Sequence, residues 1–570
     1  MPEASRKKLN AMRQLRPLQI LCSLLALVIV ACNGNAAITV EDIMPAIGAP
    51  AVVSEWWHQA YTKASNAQAG DYFGGAVAID GDTMVIGSPI ESSDASTILH
   101  APSMPTPGTE NNSAAASGAV YVYVRSGDTW AAQAYLKAPN AESADTFGIS
   151  VAISGNTIVV GAANENSNQS SILHAGSLPT AATDDDSAAL AGAAYVFVRS
   201  GTTWSAEAYL KASNAEASDN FGASVGIDGD TIVVGASGED SNQGTISLAG
   251  SFPTAAGDND AASAAGAAYV FTRSGTTWSQ QAYLKACNAE GADSFGEVVA
   301  ISGDTVVVGA KGEDGGVSGV LNSGSLPTAA GDSDSANGAG AAHVFVRSGT
   351  TWTQQAYLKS TNAAASDLFG YPVAISGDTI VVGAHLEDGN NTAVINSATL
   401  PSTATANNLA LAAGAVYVFL RTGLTWSQQA YLKAPNTEAS DEFGYAIAIS
   451  GDTIVVGAHL EDGNQETISQ AAALPTPATD NDANASAGAA YVFVREAGVW
   501  SQNAYLKSPN PDANDRFASA LAVSGSTIIV GAWYEDSNTT TVLHTGSLPA
   551  AASDNDAAAD AGAAYVFGKR

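Results

Sequence analysis

The sequence predicts an all-β fold, a seven-bladed β-propeller with four antiparallel strands in each blade. One unit recurs seven times at an interval of 74 residues, each unit holds four strand-like runs, and the run that the last unit lacks stands ahead of the first. Repetition of this kind outranks the length prior, which for 570 residues gives about four domains of roughly 150 residues each.

Invariant columns set the period. Phe-Gly begins at Phe73, Phe147, Phe221, Phe295, Phe369 and Phe443, and Phe517-Ala518 is an altered seventh copy. A tryptophan keeps step at Trp56, Trp130, Trp204, Trp278, Trp352, Trp426 and Trp500, and a lysine at Lys63, Lys137, Lys211, Lys285, Lys359, Lys433 and Lys507. In the third copy the first run is Phe221–Ile227, where Phe221, Val225 and Ile227 alternate with Gly222, Ser224 and Gly226. The second, Thr231–Ala236, is continuously apolar. In the third, Ala267–Arg273, Tyr269 and Phe271 share a face, and the fourth is Trp278–Lys285. β-Branched and aromatic runs bounded by Gly, Ser, Asp and Asn are strand signals. Asp228-Gly229-Asp230 makes a tight hairpin between the first two, and Ser274-Gly275-Thr276-Thr277 another between the last two.

Seven periods counted from Trp56 overrun Arg570, so the chain ends after a third strand, Ala563–Phe567. The missing fourth strand is expected from Trp56–Lys63. It would complete the last blade, lock the ring and remove the end surfaces that an open stack exposes. Blades packed face to face bury both faces of each sheet, which accounts for strands without polar alternation. Gly and Ala let neighbouring sheets approach, and the periodic Trp and Phe are core residues.

Ahead of the repeats, residues 1–17 are basic and residues 18–30 almost wholly apolar. The apolar run is shorter than the roughly 20 residues a spanning helix needs and fits a signal-peptide core. It ends in Ile29-Val30-Ala31-Cys32, which resembles a bacterial lipobox. That resemblance implies lipidation of Cys32, and Asn33 in place of Asp implies sorting to the outer membrane. An ordinary cleaved signal is the alternative. The chain therefore divides into a signal peptide (1–31), a tether (32–55) and the propeller (56–570).

The formal net charge is −33. Such a surface repels nucleic acid, stays soluble and attracts cations. Membrane contact is expected only through the N-terminal lipid. The three cysteines follow no zinc or disulfide spacing, and Cys287 is read as a tolerated lone thiol.

Phe221-Gly222-Ala223-Ser224-Val225, Val233-Val234-Gly235-Ala236 and Gly266-Ala267-Ala268-Tyr269-Val270-Phe271 resemble FG-GAP repeats of the integrin-α type. The resemblance spans residues 56–570. It implies a propeller, extracellular recognition, often adhesion, and commonly calcium. One departure counts against the family's usual calcium loop. The link between the first two strands is only Ser-Gly-Asp or Asp-Gly-Asp, too short to wrap a cation that takes six to eight oxygens.

Both hairpins fall on one end of the ring, so the long links fall on the other. Loops carry function more often than scaffold does, and a link of about 30 residues kept seven times is not slack. Its acids form two sets. Glu239-Asp240, Glu313-Asp314, Glu387-Asp388, Glu461-Asp462 and Glu535-Asp536 are read as an acidic binding face. Asp184 and Asp186, Asp258 and Asp260, Asp332 and Asp334, Asp480 and Asp482, and Asp554 and Asp556 are candidate calcium ligands or solvated turns. Asp71, Asp145, Asp219, Asp293, Asp367, Asp441 and Asp515 are read as caps of the turn into the first strand.

No nucleophile elbow, phosphate-cradling loop or zinc-ligand pair occurs, and a role repeated seven times does not make one catalytic centre. Singular residues on the long-loop side, Trp533, Tyr534 and Lys311, leave room for a unique pocket. The expected function is that of a lipid-anchored, monomeric, non-catalytic binding or adhesion module for an extracellular protein or glycan. A propeller hydrolase or lyase of the cell envelope is the alternative, and an outer-membrane scaffold a third reading.

Overall fold

Each unit folds about its two hairpins. In the third, Ser224–Asp228, Thr231–Ala236, Ala267–Ser274 and Thr277–Leu284 pair antiparallel in chain order. The computed structural model describes residues 55–108, 111–257, 259–328, 333–396, 400–402, 407–479, 481–550 and 555–570. The expected signal peptide, Cys32 and all of the tether but Glu55 lie outside the described residues.

Seven sheets of the same order result, the seven blades of a propeller. In the last, the N-terminal strand Trp56–Thr62 pairs with Ala563–Lys569, with Tyr61 opposite Tyr565 and Thr62 opposite Ala564. The innermost strands form a closed circuit. Each packs on those of its two neighbours, and Ala520–Ser524 packs on Ala76–Asp80. The core lies between blades: Val159 and Val196 of the second meet Ile232, Val234 and Phe271 of the third.

Two features differ from expectation. Every sheet has a fifth strand at its outer edge. In the third blade it is Ser247–Leu248, which pairs with Tyr283 and Ala282 of the fourth strand. A two-residue strand has no periodicity to read, yet it covers part of an edge otherwise open to further pairing. The first strand also starts at Ser224 and not at Phe221. Asn220 (φ 56°) and Gly222 (φ 94°) turn the chain there, so Phe221 bridges instead to Gly192 of the preceding blade. A Cβ on Gly192 would stand 2.1 Å from the Phe221 carbonyl oxygen, which is why that position holds glycine.

Polar belts join the blades through columns that looked like mere punctuation or core. At the hairpin end, Gly229 N–H donates to Ser154 Oγ (3.1 Å) and Gly303 N–H to Asp228 Oδ2 (2.6 Å), and the belt closes where Gly81 N–H donates to Ser524 Oγ (3.2 Å). The periodic tryptophans are buried, as expected of core, but their indoles also donate to the preceding blade. Trp278 Nε1 reaches Glu207 Oε1 (2.9 Å), Trp130 reaches Gln59 Oε1 (3.1 Å) and Trp56 reaches Asn503 Oδ1 (3.0 Å). His100, His174 and His544 accept the backbone N–H of Trp204, Trp278 and Trp130 in the next blade at 2.8–2.9 Å. These histidines are fasteners.

Candidate functional site

The long-loop end begins with a buried ion pair in each blade. In the third, Lys285 Nζ lies 2.7 Å from Glu239 Oε2 and donates to the Gly266 carbonyl at 2.6 Å. Tyr283 and Asn214 donate to Glu239 Oε1 at 2.6 and 3.1 Å, and Tyr269 donates to Asn214 Oδ1 at 2.8 Å. Equivalent pairs are Lys63–Glu535, Lys137–Glu91, Lys211–Glu165, Lys359–Glu313, Lys433–Glu387 and Lys507–Glu461. Burial opposes both charges: it pushes Glu165 up, and Lys137 and Lys433 down. Such pairs hold because hydrogen bonds satisfy both partners.

This corrects the acidic-face expectation. Glu239, Glu313, Glu387, Glu461 and Glu535 are buried and paired, and offer no carboxylate to a ligand. The sequence holds the signal in two seven-member columns of opposite charge. Their 46-residue separation hides the pairing until the blade forms. The neighbouring aspartates are half-buried and accept loop N–H groups. Asp240 takes that of Ala264, Asp314 of Gly338, Asp388 of Ala412, Asp462 of Ser486 and Asp536 of Asp560, at 2.6–2.8 Å.

The fourth blade lacks one member of the network. His343 stands where the other blades carry tyrosine, is fully buried, and has no partner for Nε2. Burial lowers its pKa to about 3, so it is neutral. His343→Tyr is expected to restore the hydroxyl bond to Asn288 and raise stability by about 1 kcal/mol in chemical denaturation.

The aspartates ahead of each Phe cap their turns as expected. Asp219 Oδ2 accepts the Glu216 N–H at 2.8 Å and Asp145 that of Glu142 at 2.8 Å. Burial raises Asp145, Asp219, Asp293 and Asp441 to about 8, Asp367 to about 7 and Asp515 to about 9. The folded state thus keeps protons that the unfolded chain releases near pH 4. Stability is greatest below that pH for these groups and falls as pH rises to about 8. The melting temperature is expected to be several degrees lower at pH 9 than at pH 6. Asp219→Asn, which keeps the acceptor without the charge, should flatten that slope.

Of the candidate calcium ligands, Asp184 is half-buried and Asp186, Asp260, Asp334, Asp482 and Asp556 are exposed, whereas Asp258, Asp332, Asp480 and Asp554 lie outside the described residues. Asp184 accepts from Asn140. Glu142 is raised to about 7, first by burial and then by the Asp186 and Asp184 carboxylates. Among the described residues, no three His, Cys, Asp or Glu side chains converge as a metal shell.

Sevenfold symmetry breaks where the second strands end and the first strands begin. The position after each second strand holds Pro89, Ala163 and Ser237 in three blades, then Lys311, His385, His459 and Trp533. The position after Phe-Gly is Gly75, Ile149 and Ala223, then Glu297, Tyr371 and Tyr445. The larger side chains join into one arc. Lys311 Nζ is 2.7 Å from Glu297 Oε1 and 5.1 Å from the Tyr371 ring centre. Tyr371 and Tyr445 lie 5.5 and 5.6 Å from the His385 ring, and Tyr445 lies 3.6 Å from the His459 ring, tilted by 48°. His459 Nε2 is 3.3 Å from Glu442 Oε2. The Arg516 guanidinium lies 4.8 Å over Tyr534, which contacts Tyr72 and Trp533 at 5.2 and 5.5 Å. Beside it a cleft of about 410 Å³ is lined by Ala513, Asn514, Arg516, Tyr534, Asp536 and Asp560.

Burial lowers the pKa of both His385 and His459. Burial alone would raise Glu442, but His459, His385 and Arg516 outweigh it and hold the carboxyl low. The pair of His459 Nε2 and the Glu442 carboxyl fixes the imidazole in the arc. The sequence marks Trp533, Tyr534 and Lys311 as singular. It does not reveal that they share a site with Tyr371, Tyr445 and the His385–His459 pair, because consecutive members are about one repeat apart.

The FG-GAP repeat model matches residues 56–98, 130–177, 204–251, 278–326, 352–397, 426–472 and 500–547, one segment per repeat and together more than half of the chain. Comparison with curated proteins finds no significant match. With one matched segment in every period and a ring closed by its own N-terminal strand, this chain belongs to the FG-GAP repeat family.

Proposed function

We propose that the protein is a non-catalytic binding module of the cell envelope, exported and anchored through lipid on Cys32, that recognises an extracellular protein or glycan with its long-loop end. The observation that carries this reading is the break in sevenfold symmetry at the long-loop end. Elsewhere the columns serve turns and bonds within and between blades, whereas the arc from Lys311 to Tyr72 serves no repeated structural purpose and lies at a loop end. A hydrolase or lyase would draw on His459, held by Glu442. Its lowered pKa makes it a poor base, which favours binding.

The test is a screen of the purified protein against extracellular proteins and glycans, with product analysis of each incubation. Saturable binding without turnover supports the reading, and release of cleaved product sinks it. Cys32→Ser should abolish incorporation of labelled fatty acid. Calcium at the Asp184–Asp186 loop and its equivalents is part of the proposal on donor chemistry, and a melting temperature unmoved by calcium or chelator removes it.

A further inference from the structure

We infer that the aromatic arc at the long-loop end is a subsite for a neutral carbohydrate, whose sugar rings stack on Tyr445, Tyr534 and Trp533 while their hydroxyls meet the charged and imidazole groups between them. The inference rests on the binding reading above and names the ligand class.

Three observations point to this chemistry. The first is the kind of surface. Tyr72, Tyr371, Tyr445, Trp533 and Tyr534 are neither buried like the periodic aromatics nor freely exposed. Partly exposed amphipathic rings suit a ligand that presents C–H patches and hydroxyls together. The second is charge. Beyond residue 31, every Lys and Arg except Lys311, Arg516 and Arg570 occupies a repeat column. The two non-periodic cations within residues 56–569 thus stand in this arc, each matched by acid: Lys311 by Glu297, and Arg516 by Glu442, with Asp536 and Asp560 in its cleft. No surplus positive charge remains to hold an anion, and the net charge of −33 repels one. Matched acids and bases side by side can each bond a hydroxyl, which both donates and accepts. The third is unmet hydrogen bonding. Trp533 Nε1 and His459 Nδ1 are buried without a partner among the described residues, an indole N–H and an imidazole nitrogen in the same arc. Buried polar groups of this kind call for a partner the chain does not supply.

The experiment is binding of the whole protein to an array of neutral hexose and N-acetylhexosamine oligosaccharides, alongside uronate-containing, sialylated and sulfated ones and a panel of extracellular proteins. Neutral oligosaccharides should bind. Tyr445→Ala and Tyr534→Ala should each weaken binding at least tenfold, and Trp533→Phe, which keeps the ring and removes the N–H, about threefold to tenfold. Tyr445→Phe should stay within about threefold of the parent, and unchanged melting curves should show that the variants are folded. Binding confined to acidic glycans overturns the neutral-ligand assignment. Neutral-glycan binding unaffected by Tyr445→Ala and Tyr534→Ala overturns the arc as its site. Binding to a protein and to no glycan overturns this inference and leaves the binding-module reading standing; no binding to anything in the screen sinks both.

Discussion

Removal of Trp56–Lys63 should abolish the single cooperative melting transition and drive the chain into aggregates. That strand fills the last blade between Ala563–Lys569 and Leu543–His544. Its loss uncovers both partners' edges and deletes the buried Trp56 and Tyr61, each worth about 3–5 kcal/mol. It also strips Glu535 of Lys63, 2.6 Å away, leaving a buried carboxylate unpaired at a cost of about 3–5 kcal/mol. Together these equal or exceed much of the roughly 5–15 kcal/mol of net stability typical of a domain. Calorimetry and size-exclusion chromatography decide the matter. A monomeric truncated chain that melts as sharply as the parent, within a few degrees, would mean the ring holds without its closing strand.

Lys211→Met should cost about 3–5 kcal/mol, although the substitution adds apolar atoms to a buried position. Lys211 Nζ lies 2.9 Å from Glu165 Oε2 and also donates to the carbonyls of Ser167 and Gly192 at 2.7 Å. Methionine fills the space but leaves Glu165 charged and enclosed, and burial already pushes that carboxyl up. Adding Glu165→Gln keeps an acceptor for Tyr209 and Asn140 while removing the stranded charge, so the double variant should recover at least half of the loss. Urea denaturation of the two singles and the double closes the cycle. Equal stability of Lys211→Met and the parent would show that the seven pairs are dispensable to the fold.

Both expectations follow from columns visible in the sequence, but the sequence assigns them unequally. The hairpins, the inner strands and the exchange of the fourth strand between the chain's ends are local or periodic properties, and they stand in the structure within a few residues. The two-residue outer strand, such as Leu173–His174, does not, because pairing that short leaves no pattern. The Glu-Asp pairs divided after folding: Glu461 turned inward to Lys507, while half-buried Asp462 caps a loop. Adjacent residues of like charge look alike in a sequence and are separated only by the direction of the chain between them.

Periodicity alone determined the number of blades, their strands and the closure of the ring, since each depends on spacing within one chain. Which charges are buried, and which non-repeating residues meet, depended on curvature. Once the ring closes, positions one repeat apart, such as His385 and His459, become neighbours at its long-loop end. Only the bending of seven sheets about a common centre converts a column in sequence into an arc in space.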